Sequence, residues 1–464
     1  MNKQLAKIND PEAEQGERLE ALRLLETKRR GPVLPDRAPA SGAGADGQEI
    51  NNHIHTIYSF SPYTPAMAAL KAREAGLAAA GSVDHDSAAA AEEMLAACAC
   101  LGLGGCVGFE VRASFKKGPG GRASPFAERK INNPDSAGLV YMTVQGIPAP
   151  QLPRVRAFLD PVRRERLKRT QAMTVSANSI LREGGLGEID FTGDIREKSQ
   201  FDRGGEITER HLLAAVAERF IGKYGRGPAL AAGLKTLLGL EIPPRIAAFL
   251  EDGENPHYLF DLLGILKSSF LPRIFIQPGE AECIPAQGVT EFARSVGAIP
   301  AYAYLGDVAE SPTGDKRAEK FEDEYLEALF EELARLGFQA VTYMPPRNTP
   351  EQLRRLRTLC AAGGFMEISG VDINSSRQSF NCPEVLRPEF RHLLDTTWAL
   401  IAHERLSSLE TALGLFSPQN PLAGASLPVR LAAYARAGRD LDLRHPEESV
   451  PGIIKRIYKG DYLT

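Results

Sequence analysis

Residues 51–64 read NNHIHTIYSFSPYT, and the fold turns on how this stretch is understood. It sets His53 and His55 on either side of an apolar Ile54, in a chain that has only 8 histidines. Alternate side chains of an extended strand share a face, so both imidazoles point one way and Ile54 the other. Two imidazoles presented together can grip one ion.

Outward from this stretch the texture alternates. TPAMAALKAREAG (64–76) carries helix formers after a capping threonine, LAAAGSVDH (77–85) is a short apolar run, and SAAAAEEMLAACACLG (87–102) is helical again. GGCVGFEVRASF (104–115) and, after a long polar loop, LVYMTVQGI (139–147) read as further strands. The rhythm returns at AIPAYAYLG (298–306), a helix over 316–337, QAVTYM (339–344), a helix over 349–364 and FMEISGVDIN (365–374). Six or seven strands alternating with helices predict an α/β fold with a parallel sheet or (β/α) barrel.

The intervening segment has a different period. Residues 152–173, 207–225, 230–241 and 256–270 carry apolar residues at helical spacing, which predicts a mostly helical insertion over 150–290. The expected organisation is an N-terminal helix and open linker (1–48), a first barrel part (49–149), the insertion, a second barrel part (291–381) and a helical C-terminal extension (382–464).

Composition excludes several classes. The formal net charge of −4 lacks the basic excess of a nucleic-acid footprint, and no window reaches about 18 consecutive apolar residues. The first twenty residues are charged where a secretory signal would be apolar, so a cytoplasmic location is the expectation, without a membrane and with no nucleic acid required. Six cysteines without paired CxxC spacing read as buried thiols. The C-terminal helices leave a homo-oligomer open.

Chemistry-bearing residues gather at strand ends, which is the active-site end of a parallel barrel. The second strand ends in VDHDS with Asp84, His85 and Asp86, the third carries Glu110 in GFE, and a late one ends in GVDIN with Asp372 and Asn374. Each alone has a structural reading, since an Asp-His can cap the next helix and a lone carboxylate can be solvated. Collected on one rim, they form a site suited to Mn, Fe or Zn.

NHIHTIYSFSPYTP, VDHDS, GFEV and GVDIN together resemble the successive motifs of the PHP (polymerase and histidinol phosphatase) superfamily, over about residues 50–375. The resemblance implies a distorted seven-stranded (β/α) barrel, metal-dependent phosphoesterase activity and up to three clustered ions. It carries the first ion over to His53, His55, Glu110 and Asp372. It also pairs Arg210 and His211 of ITERHLL (207–213) with a substrate-binding element of the family's phosphatases.

The departures are specific. Phe60 stands where the family has a carboxylate, no histidine follows in LVYMTVQGI, Tyr302 or Tyr304 replaces another ligand, and Asn374 replaces the last imidazole. The resemblance therefore implies one well-made ion site per chain, with His85, Asn374, Tyr302 and Tyr304 as weak ligands or wall.

The expected function is a metal-dependent hydrolase, a phosphoesterase acting on a small phosphorylated compound with a mononuclear site. His85 and Asp84 are the nearest proton carriers. Arg112, Arg347, Arg377 and Lys316, with Arg210 and His211, are candidates to hold phosphate. The rival expectation is a catalytically silent barrel that binds a phosphorylated ligand or partner for regulation.

Overall fold

Short apolar runs become strands wherever a glycine turn or a helix cap bounds them. The computed structural model describes residues 2–30, 48–118, 121, 122, 124–133, 135–239, 242–308 and 320–463. The strands are β1 (Ile50–Ile54), β2 (Ala79–His85), β3 (Gly104–Ser114), β4 (Leu139–Gln145), β5 (Ile284–Pro285), β6 (Ile299–Ala303), β7 (Ala340–Tyr343) and β8 (Met366–Ser369). They lie in the order β1-β2-β3-β4-β6-β7-β8, with the two-residue β5 added to β3.

The sheet curls into a nearly closed seven-stranded barrel. Its ends meet just beyond β8, where Ile54 bridges Ile373 in parallel. His55 N–H donates to the Ile373 carbonyl at 2.9 Å, and Ile373 N–H to the His53 carbonyl at 3.1 Å. Gly370 makes this approach feasible, because a Cβ there would stand 2.7 Å from the His53 backbone nitrogen.

One strand departs from the parallel expectation. β4 runs antiparallel to both β3 and β6. Among the described residues, the segment joining β3 to β4 has no crossover α-helix to carry the chain back to its starting edge, and the chain returns in the opposite direction.

Helices α1 (Asn2–Ile8) and α2 (Gln15–Arg30) precede the barrel, and α3 (Pro65–Glu74) and α4 (Ala91–Leu101) follow its first two strands. α3 starts as the sequence suggests: Thr64 Oγ1 accepts from Met67 N–H at 3.1 Å and Pro65 occupies the first turn. The insertion comprises α5 (Leu152–Glu183), α6 (Glu209–Tyr224), α7 (Pro228–Leu238), α8 (Pro244–Glu251), α9 (Tyr258–Ser269) and α10 (Leu271–Ile274). The barrel resumes with α11 (Ala286–Ser295), α12 (Leu326–Leu336) and α13 (Pro350–Gly363), and α14 (His392–Leu409), α15 (Leu427–Arg439) and α16 (Pro446–Lys459) complete the chain. α12 begins ten residues later than the helix read from the sequence; residues 316–319, Lys316 among them, lie outside the described residues.

Two apolar cores result. The larger fills the barrel and its helices and includes Trp398 of α14, which is 1% exposed. The smaller runs from Met173 to Ile274 and belongs to the insertion. The N-terminal helices pack onto the barrel: Ile8, Leu19, Leu22 and Leu25 join its core, and Arg18 pairs with Glu93 of α4 at 2.6 Å with both side chains buried. Among the described residues no helix is long and apolar enough to cross a membrane.

Candidate metal centre

The end of β1, the loop after it and the segment after β8 converge where the barrel closes. His53, His55 and Asp372 each offer a ligand atom within 4.8 Å of the other two. His53 Nε2 lies 3.0 Å from Glu110 Oε2, and His55 Nε2 lies 3.2 Å from Asp372 Oδ1. Neither nitrogen meets its carboxylate, or any other described group, in hydrogen-bond geometry. Ligands about 2.1 Å from one ion stand about 3.0–3.4 Å apart, so the spacing and the orphaned nitrogens both fit a cation between these groups.

The orientation of His55 has a traceable cause. Asp84 is 1% exposed and accepts three hydrogen bonds: from Thr56 N–H at 2.6 Å, Thr56 O–H at 2.7 Å and Ser59 O–H at 2.6 Å. With its proton given to Asp84, Ser59 Oγ can only accept from His55 Nδ1, 3.1 Å away. The neutral ring then carries its proton on Nδ1 and turns the Nε2 lone pair toward Asp372.

Electrostatics point the same way. Burial is the largest single influence on His55 and would lower its pKa, but Asp372, Glu110 and Asp84 together outweigh it and raise it. Burial would raise the carboxyls of Asp372 and Glu110, yet the neighbouring imidazoles, His55 for the first and His85 with His53 for the second, hold both well below the usual range. Carboxylates that keep a proton on a buried imidazole favour a metal ion at the same place. His85 completes the cluster, its ring centroid 4.5 Å from that of His55 and its Nδ1 3.4 Å from Glu110 Oε1. Burial pushes its pKa down despite Glu110, so the ring is neutral near pH 7.

A cavity of about 220 Å³ opens beside these groups. His53, His85, Glu110, Asp372, Asn374, Tyr304, Arg112, Arg210 and Arg347 all line it. Asn374 Nδ2 donates to Asp372 Oδ1 at 2.7 Å, and Arg210 donates to the Asn374 carbonyl at 2.8 Å. Tyr304 gives its hydroxyl to Asp323 at 2.6 Å, leaving its ring as wall.

Other expected site residues stand elsewhere. Asp84 is walled off from the cavity by its three donors. Tyr302 is 0% exposed, does not line the cavity and belongs to the barrel core. His211 caps α6, where its Nδ1 accepts from Thr208 N–H at 3.0 Å, and burial together with Arg166 pushes its pKa down to about 3. Arg377 is drawn to the insertion, bonded to Asp261 at 2.7 Å and stacked 3.8 Å above the Phe249 ring. Phe60, in a left-handed conformation (φ 70°), packs edge-on to His211 at 4.8 Å, so an apolar plug stands where the resemblance implies a carboxylate.

Sequence reasoning missed an ion-pair network behind the cavity. Arg166 Nη1 meets Asp86 at 2.5 Å and its Nη2 meets Glu209 at 2.8 Å; Arg169 bonds Glu209 at 2.7 Å and Glu282 at 2.6 Å; Arg112 reaches Glu282 at 3.0 Å. The signal was present as Arg166 and Arg169 three apart on one helix face, but their carboxylate partners come from distant segments.

No family model matches the chain, and no match was found among curated proteins. Several solved structures are similar to it, two of which are these. One, from Bifidobacterium adolescentis and described as a presumed metal-dependent phosphoesterase, has 19% identity, a TM-score of 0.45 and coverage of 72% of this chain and 91% of its own. The other, an amidohydrolase from Chromobacterium violaceum with bound sulfate and no metal, has 17% identity, a TM-score of 0.47 and coverage of 74% and 95%.

Proposed function

We propose that the chain is a metal-dependent hydrolase that cleaves a small phosphorylated compound with one divalent ion, Mn, Zn or Fe, per chain. The observation that carries this reading is the pair of buried imidazole nitrogens, His53 Nε2 and His55 Nε2, set beside carboxylates without hydrogen bonds to them. His53, His55 and Asp372 would hold the ion, with Glu110 alongside. An ion there supplies Lewis-acid polarisation of a phosphoryl oxygen and acidification of water.

The remaining work falls to side chains of the chain itself. Neutral His85, 26% exposed and lining the cavity, is placed to take a proton from an attacking water and return it to the leaving oxygen. Arg210 and Arg347 line the same cavity and supply positive charge toward the phosphoryl oxygens. Arg112 and Arg166 are held by Glu209, Glu282 and Asp86, so they keep the wall in shape and charged.

Elemental analysis of the purified protein should find about one divalent ion per chain, and chelation should stop phosphate release until Mn or Zn is restored. His55→Ala should lose the ion and lower phosphate release by at least about 100-fold. A His55→Ala protein that keeps both would overturn the reading.

A further inference from the structure

Part of the cavity wall is apolar, although Thr208 and Lys267 of the insertion line it too. Leu213 of α6, Leu271 of α10 and Phe275 just after it line the cavity from the insertion, and Leu305 and Met344 line it from the barrel. None of these five side chains carries a hydrogen-bond donor. Met344 lies next to the ion ligands, since its Sδ is 3.5 Å from the Asp372 backbone N–H. A polar organic group placed against these five side chains would find no hydrogen-bond donor in them, whereas an apolar one meets that wall without such a loss.

Size sets a second limit. About 220 Å³ is below the roughly 300–1,000 Å³ of drug-sized pockets. That space suits a phosphoryl group with one ring-sized or branched-alkyl body.

Resting on the hydrolase reading above, we infer that the substrate is a phosphomonoester of a compact apolar alcohol, aryl or branched alkyl, whose organic part lies against Leu213, Leu271 and Phe275. Hydrolysis breaks the P–O bond to the alcohol, forms one from water to phosphorus, and returns a proton to the departing alkoxide. Hydroxyls of a sugar phosphate that lay against these side chains would find no partner in them.

Non-hydrolysable phosphonates test this on the full chain with Mn. Phenylphosphonate should bind at least about tenfold more tightly by calorimetry than 2,3-dihydroxypropylphosphonate, an analogue of similar bulk and equal charge. Phe275→Ala and, from the barrel side, Leu305→Ser should each bring that ratio toward one. Equal affinities, tighter binding of the dihydroxy ligand, or no binding of either at millimolar concentration would overturn the inference; the wild-type ratio alone is decisive if a variant fails to fold. Phenyl phosphate is then tried as substrate with Mn, Zn and Fe. An apolar preference in binding without release of phosphate would support this pocket while removing the hydrolase reading.

Discussion

Because Ser59 gives its proton to Asp84 and accepts from His55, replacing it changes the metal site without removing a ligand. Ser59→Ala should weaken metal affinity about tenfold, measured by competition with a chromogenic chelator, and Ser59→Thr should recover most of the loss. Unchanged affinity in Ser59→Ala would show that the ring is held by packing alone. His53 and His55 were legible from spacing because strand geometry fixes which way alternate side chains face. Ser59 sits in the same quoted stretch, yet no spacing rule marks it, since its role depends on Asp84 arriving from the next strand. Arg377 misled for a related reason: following a barrel strand does not decide direction when Asp261 competes for the guanidinium.

At the scale of elements, α14 is fastened to the barrel by a buried carboxyl. Glu404 Oε2 accepts from Val107 N–H of β3 at 2.8 Å, and its Oε1 has no partner among the described residues. Burial pushes this carboxyl up to about 8, with nearby Arg405 only partly opposing. A folded-state pKa above the unfolded one means the folded chain binds the extra proton. Stability from this group is therefore present in full below the unfolded value and declines as pH rises through about 8. The loss should be on the order of a few kcal/mol, read as a falling urea midpoint between pH 5 and pH 9, and Glu404→Gln should flatten that slope. The insertion's helices were readable because their apolar period is long and unbroken. The direction of β4 was not, because period-2 patterning is the same in parallel and antiparallel strands, and only the form of the connection decides. The late start of α12 escaped notice because residues 316–325 are charged helix formers with no breaker among them.

For the molecule as a whole, the N-terminal helices clamp the loop that bears the site. Thr64 Oγ1 donates to the Ile8 carbonyl at 2.6 Å, and Arg18 and Glu93 form a pair that is 2% and 0% exposed. Glu93→Ala should destabilise the protein by about 3–5 kcal/mol in urea unfolding, because it strands a buried guanidinium. A change under about 1 kcal/mol would mean that water reaches Arg18. The clamp was invisible in the sequence, where the N-terminal residues read only as a helix ahead of an open linker. The seam between β1 and β8 also orders events in time. Asn51 is tied to Val371 across 320 residues of chain, and Asp372 follows directly. At about 5–20 residues per second, a nascent chain carries its two imidazoles for roughly 16–64 s before the aspartate proposed to share their ion has been synthesised. On the proposed reading, metal capture would fall among the last acts of biogenesis, and a chain truncated before the seam should leave the ribosome unable to bind an ion at this site.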